Sequence, residues 1–167
     1  MNLFLLRHGL AVERDEIHFA SDHLRPLTPK GKRQLRKIVA AMRAMELNFD
    51  VILSSPLVRA RQTAEIVAAD LKLKKRLDFA DELKPGGDAK KLVKKIIGLK
   101  KAPVNALLVG HEPDLGELIS LFVTGKTGAG FTLKKAGLAK LEIENLSAGK
   151  CATLAWLLTP AQMKLMP

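Results

Sequence analysis

The sequence predicts a three-layer α/β/α fold around a mostly parallel central sheet, and three observations lead to it. The apolar run at residues 3–6, and the runs at 50–53 and 105–109 that turn apolar after Asp50 and Asn105, read as short strands. The stretches between them place apolar residues at helical spacing, and strands that alternate with helices form a parallel sheet covered on both faces. No internal repeat, low-complexity tract or break in composition divides the chain, so residues 1–167 are expected to form one domain.

The elements follow in order. The first strand stops at Arg7-His8-Gly9, and the polar, aperiodic segment 10–26 reads as a loop over the strand edge. Thr28 can cap a helix whose first position suits Pro29, and Leu35, Ile38, Val39, Met42 and Met45 form its apolar stripe. The second strand ends in Ser54-Ser55. After Pro56, a second helix turns Leu57, Ala60, Ala64, Val67 and Leu71 inward. Residues 76–79 make a short third strand that runs into the turn-rich stretch 81–88. Asp88 can cap the next helix, where Lys90, Lys91, Lys94 and Lys95 alternate with Leu92, Val93, Ile96 and Ile97 as a solvated face and a core face. The strand at 105–109 ends in Gly110-His111-Glu112-Pro113-Asp114, and the helix after it buries Leu115, Leu118, Ile119 and Phe122. A Gly/Thr/Lys loop at 124–130 and two β-like runs, 138–143 and 152–158, close the chain.

Composition narrows the function classes. A chain of 167 residues can bury a sizeable core, and 47% hydrophobic with 27% charged residues is ordinary for a globular protein. No apolar run approaches the roughly 18–20 residues of a bilayer span, and no targeting segment precedes the first strand, so neither a membrane nor export is expected. One cysteine, Cys151, excludes an internal disulfide, fits a reducing, cytoplasmic compartment, and is expected as a small core residue. The net charge is +11, with eleven Lys/Arg against four Asp/Glu in residues 72–101. That excess suits a solvated face, or attraction to an acidic protein or anionic substrate. With no Tyr and one Trp, the chain has few stacking platforms for nucleic acid, and none is expected as a partner.

The chemistry is concentrated at three strand ends. The first delivers Arg7, His8 and the flexible Gly9. The second delivers Ser54 and Ser55 with Arg59 and Arg61 close behind, and the strand at 105–109 delivers His111. A doubly wound sheet brings such ends to one edge, where ligands bind. Two arginines and two histidines beside helix N-termini describe a phosphate site.

Leu6-Arg7-His8-Gly9 resembles the signature of the histidine phosphatase superfamily, which includes the cofactor-dependent phosphoglycerate mutases. The run from Ser54 through Pro56, Arg59, Arg61 and Thr63 to Ala64 is similar to its second motif, and Val109-Gly110-His111-Glu112 to its third. Arg25-Pro26-Leu27-Thr28 and His111-Glu112-Pro113-Asp114-Leu115 look most like the SixA-type protein phosphohistidine phosphatases. The resemblance implies a phosphoglycerate mutase-like fold and a phosphatase that needs no metal or cofactor. It implies His8 as nucleophile, passing through a covalent phosphohistidine. Arg7, Arg59 and His111, with the Gly9 backbone beside them, would bind the phosphoryl oxygens, and Glu82 matches the general acid by position. A loop or helix-capping role for Glu82 stays open, with Asp81 and Asp22 as weaker acids, and Glu112 reads as favourable charge at a helix N-terminus. His8 would attack as a neutral ring, with its far nitrogen held by a backbone carbonyl.

The implied substrate is phosphohistidine on a signalling phosphotransfer protein, handled by a monomer. A small phosphoester such as a sugar phosphate or nucleotide keeps the chemistry, and a phosphoprotein-binding module without turnover is the third reading. Arg61, about 200° around the helix from Arg59, reads as a surface charge, and His18 and His23 read as loop residues. Gly125-Lys126-Thr127 resembles the end of a nucleotide-binding loop, but Ser120 stands where that motif needs glycine.

Overall fold

Four of the six strands run parallel because helical crossovers join them. The computed structural model describes residues 1–13 and 21–166. Its strands are β1 (Asn2–Arg7), β2 (Val51–Ser54), β3 (Leu77–Phe79), β4 (Asn105–Gly110), β5 (Leu138–Ile143) and β6 (Ala152–Leu158), in the sheet order β3-β2-β4-β1-β5-β6. β1 to β4 pair in parallel, while β5 adds to β1 antiparallel and β6 to β5 antiparallel. The helices are α1 (Pro29–Ala44), α2 (Val58–Asp70), α3 (Ala89–Ile97), α4 (Asp114–Thr124) and the short α5 (Pro160–Met163).

Crossovers between parallel strands are right-handed, so connections running the same way across the sheet share a face. The chain steps from β1 to β2 to β3 in one direction, then doubles back to insert β4 between β1 and β2. α1 and α2 therefore cover one face, packing Leu35, Ile38, Met42, Ala64 and Val67 on Phe4, Leu6, Ile52 and Leu107. α3 and α4 cover the other, packing Leu92, Ile96, Ile119 and Phe122 on Leu3, Leu5, Leu53 and Leu108. Alternate residues of β1 thus feed two cores, as the two-residue period of a strand requires.

Local signals hold where they were read. Thr28 Oγ1 accepts from Gly31 N at 2.9 Å, and Asp88 Oδ1 from Lys90 N at 2.7 Å. Elsewhere long-range packing overrides the pattern. Arg76 closes a 3₁₀ turn instead of opening β3, donating to Phe49 O at 2.7 Å. Asp50 lies just outside β2 and accepts from Val104 N and Asn105 N at 2.8 and 2.9 Å. Ile97, the last residue of α3, is 63% exposed and does not join Leu92, Val93 and Ile96 on the core face. Cys151 is half-buried beside β6, where its thiol donates to Ser147 O, and is not a core residue. Within segment 10–26, Ala11 bridges Leu27 and residues Asp22–Leu24 form a 3₁₀ turn. Among the described residues no helix is long and apolar enough to cross a membrane.

The start of α1 lies against the backbone that follows Gly9. A Cβ on Gly31 would collide with the Leu10 carbonyl oxygen. Helix propensity alone favours alanine by about 1 kcal/mol, but a clash with main chain costs more than a clash with a flexible side chain tip. Gly31→Ala is expected to destabilise the fold by about 1–2 kcal/mol, lowering Tm by about 2–8 °C. A raised Tm in thermal denaturation would show that this approach is not tight.

Candidate active site

Parallel register brings the three strand ends level. Arg7 pairs with Gly110, and Ser54 with Val109. The ladder then runs one residue past the strands, with His8 N donating to Gly110 O at 3.1 Å and Ser55 N to Val109 O at 2.9 Å. Arg7, His8, Ser55 and His111 therefore meet at the carboxyl edge, and α2 brings Arg59 to it.

His8 is 6% exposed. Its Nδ1 lies 2.7 Å from Gly9 O, and Arg59 Nε donates to its Nε2 at 3.2 Å. A carbonyl only accepts and a guanidinium only donates, so the proton sits on Nδ1 and the lone pair on Nε2. Burial lowers the ring pKa to about 4. The Gly9 carbonyl opposes this, while the charges of Arg59, Arg7 and Lys135 add to it. At neutral pH the ring is uncharged.

His111 is 2% exposed, with its ring centroid 5.2 Å from that of His8. Burial lowers its pKa to about 3, helped by the charges of Arg59 and His8. Its Nε2 lies 2.9 Å from Ser55 Oγ, which accepts from Leu57 N at 3.3 Å. When the Ser55 hydroxyl donates its proton to Nε2, the ring proton sits on Nδ1 of His111, a buried atom without a partner. Arg7 shows the same feature. Nη1 donates to Leu133 O at 2.8 Å, but buried Nε has no partner. Buried donors left unmatched beside a neutral imidazole suit an oxyanion.

Arg59, 4% exposed, is held from several sides. Nη1 donates to Asp22 O at 2.7 Å and Nη2 to Asp22 Oδ2 at 2.8 Å. Thr63 Oγ1 donates to Arg59 O at 2.7 Å and accepts from Gly9 N at 3.1 Å, tying α2 to the turn after His8. Asp22 is also bonded by Arg25 Nε at 2.8 Å. Arg25 and Arg59 outweigh its burial and hold the Asp22 carboxyl below its ordinary value, so it is ionised and poorly suited to donating a proton.

The remaining candidates separate. Glu82 and His111 share the wall of a cavity of about 150 Å³ between the Asp81–Leu83 turn, α3 and α4. Buried Oε2 of Glu82 has no hydrogen bond, and Lys95 Nζ lies 3.8 Å from it. Asp81 faces outward, pairing with Lys84 at 2.9 Å. Glu112 does more than favour a helix end: its Oε1 accepts from Leu133 N at 2.9 Å, and burial raises its pKa. Arg61 pairs with Glu65 on the exposed side of α2. His23 is exposed, and His18 lies outside the described residues. Gly125 ends α4 with φ 84°, the wrong end of a helix for a phosphate loop. Among the described residues, no group of three or more His, Cys, Asp or Glu side chains could hold a metal ion.

Sequence reasoning placed Ser55 and Thr63 in a motif but assigned neither a partner, and it missed the Asp22–Arg59 ion pair. Thr63, one helical turn after Arg59, carried a local signal, whereas Asp22 and Ser55 lie 37 and 56 residues from their partners.

The chain has relatives. Residues 3–84 match the model of the histidine phosphatase superfamily (branch 1). An uncharacterised protein of Picosynechococcus sp. is 39% identical over 142 residues, 84% of each chain. The phosphohistidine phosphatase SixA of Escherichia coli is 29% identical over 166 residues, 99% of this chain and 98% of that one. A solved structure of the protein histidine phosphatase SixA complexed with tungstate gives a TM-score of 0.81 at 28% identity, covering 96% of this chain and 98% of that one. By sequence and by fold, this chain belongs to the histidine phosphatase superfamily.

Proposed function

We propose that this chain, acting as a single domain and a cytoplasmic monomer, is a phosphatase that removes the phosphoryl group from phosphohistidine on a signalling phosphotransfer protein. His8 carries this reading: a buried neutral imidazole with its proton on Nδ1, its Nε2 faced by Arg59, and the charges of Arg7 and Lys135 acting on the ring. In the first step the Nε2 lone pair forms a bond to phosphorus, while the substrate's P–N bond breaks and its electron pair leaves with the target imidazole. Glu82, which shares a cavity wall with His111, donates the proton to that imidazole. In the second step water attacks phosphorus and gives a proton to Glu82, while the P–Nε2 bond breaks, its electron pair returns to His8, and inorganic phosphate leaves. Arg7, Arg59 and His111 hold the phosphoryl oxygens, the stabilisation that phosphoryl transfer chiefly demands. The similarity to SixA supports the choice of substrate, as does the short β3–α3 connection of residues 80–88, which leaves little chain for a lid on that side. Tungstate, the tetrahedral oxyanion in the solved SixA complex, supports a phosphoryl site.

The deciding experiment compares a phosphorylated phosphotransfer protein with a panel of small phosphate monoesters, in chelator, for wild type and His8→Ala. Strong preference for the protein is expected, with a loss of at least about 10³-fold in the variant. Radiolabel should stay on wild type as an acid-labile, alkali-stable adduct. Preference for small esters would move the substrate to metabolism, and an active His8→Ala would remove the mechanism.

The Asp22 carboxylate is the anion with which a phosphoryl group competes for Arg59. Asp22→Asn is therefore expected to tighten inhibition by inorganic phosphate about threefold. Weaker inhibition would mean that Asp22 positions Arg59 for substrate.

Neutral burial of both histidines has a pH signature. Unfolded, each ring protonates near 6.5, whereas the folded values are about 4 and about 3. Below pH 6.5 the unfolded chain binds protons that the folded chain refuses, so stability falls as pH drops, toward about 4 for His8 and about 3 for His111, and is unaffected above about 7. Tm measured from pH 7 to 4.5 should fall steadily, and less so in His8→Gln. A wild-type Tm that is flat to pH 4.5 would contradict neutral burial.

A further inference from the structure

The two sides of the site carry opposite charge. On the His111 side, the cavity is lined by Glu82, Asp114 and Glu117. On the Arg7 side, a groove of about 740 Å³ is lined by Lys30 of α1, Lys134 and Lys135 before β5, and Lys164 after α5. All four lysines are exposed, and no carboxylate lines the groove among the described residues. Arg7, one of the residues proposed to bind the phosphoryl group, also lines this groove, so the two share a wall.

We infer that this groove docks an acidic protein surface, the carboxylates that flank the target histidine on the protein substrate. The inference rests on the protein-substrate reading above. The lysines come from three separate segments and spread over a volume far larger than one phosphoryl group. Their exposed ends make a broad field, which attracts and orients a charged surface as protein–protein interfaces do. Carboxylates on the far side repel the same partner, so the polarity also sets which way round it lands. The lysine face of α3 is the rival surface, but the acidic cavity, walled by Ala89 and Leu92 of α3 itself, lies beside it.

The test is Lys30→Glu/Lys134→Glu/Lys164→Glu, with Lys90→Glu/Lys91→Glu/Lys94→Glu as the rival. Lys135 is left intact because its charge reaches His8. Turnover is followed on a phosphorylated phosphotransfer protein with acidic residues around its histidine, and on p-nitrophenyl phosphate. The groove variant should lose about 10-fold or more in kcat/KM on the protein, with a shallower salt dependence, and keep its rate on the small ester within about twofold. Equal loss on both substrates, no loss on either, or loss confined to the α3 variant would each overturn the groove. A wild type inactive on the protein removes the substrate reading and the groove with it. An active wild type indifferent to reversal removes the groove alone.

Discussion

Two backbone hydrogen bonds beyond the ends of the strands, His8 N to Gly110 O and Ser55 N to Val109 O, set the geometry on which the rest depends. They extend the parallel ladder by one residue on each side of β4. The residues that emerge from three distant parts of the chain therefore leave the sheet at the same height. A one-residue slip in either pairing would turn His8 or Ser55 to the opposite face. Register, enforced by two separately packed cores, is thus what aligns the site.

Burial then does chemical work. A histidine deep in protein loses hydration of its charged form, and nearby cations add a repulsion that points the same way. The Gly9 carbonyl decides which nitrogen keeps the proton, and Arg59 Nε faces the other. Most of the buried donors around the pair have partners, through Asp22, Ser55, Thr63 and Leu133. Arg7 Nε and His111 Nδ1 do not, and that local incompleteness separates a ligand site from an ordinary polar cluster. The same neutral, cation-flanked imidazole suits attack on an electron-poor phosphorus and makes the fold sensitive to acid.

Charge arrangement extends this logic outward. The chain's +11 is not spread evenly around the site. Lysines gather on the Arg7 flank, while Glu82, Asp114 and Glu117 gather on the His111 flank. An approaching anionic surface meets a gradient instead of a uniform attraction, and a gradient orients as well as steers.

Much of this was legible in the sequence because it depends on neighbours a few residues apart. The Thr28 and Asp88 caps, the stripes of α1 and α4 and the polar endings of the strands are local patterns. Arg7, His8, Arg59 and His111 could be singled out from such patterns and from the family motifs they form. Other features stayed hidden because the deciding contact is remote. Arg76 leaves the predicted strand for Phe49 O, 27 residues away, and Asp22 reaches Arg59 across 37. Ser55 finds His111 across 56, and Thr63 finds Gly9 across 54. The sequence by itself determined the alternation of elements, their caps and the residue types at the strand ends. Tertiary structure decided the order of strands, the partner of Arg59 and the polarity of the two flanks. Each of those is a through-space contact between segments whose separation along the chain leaves no local trace.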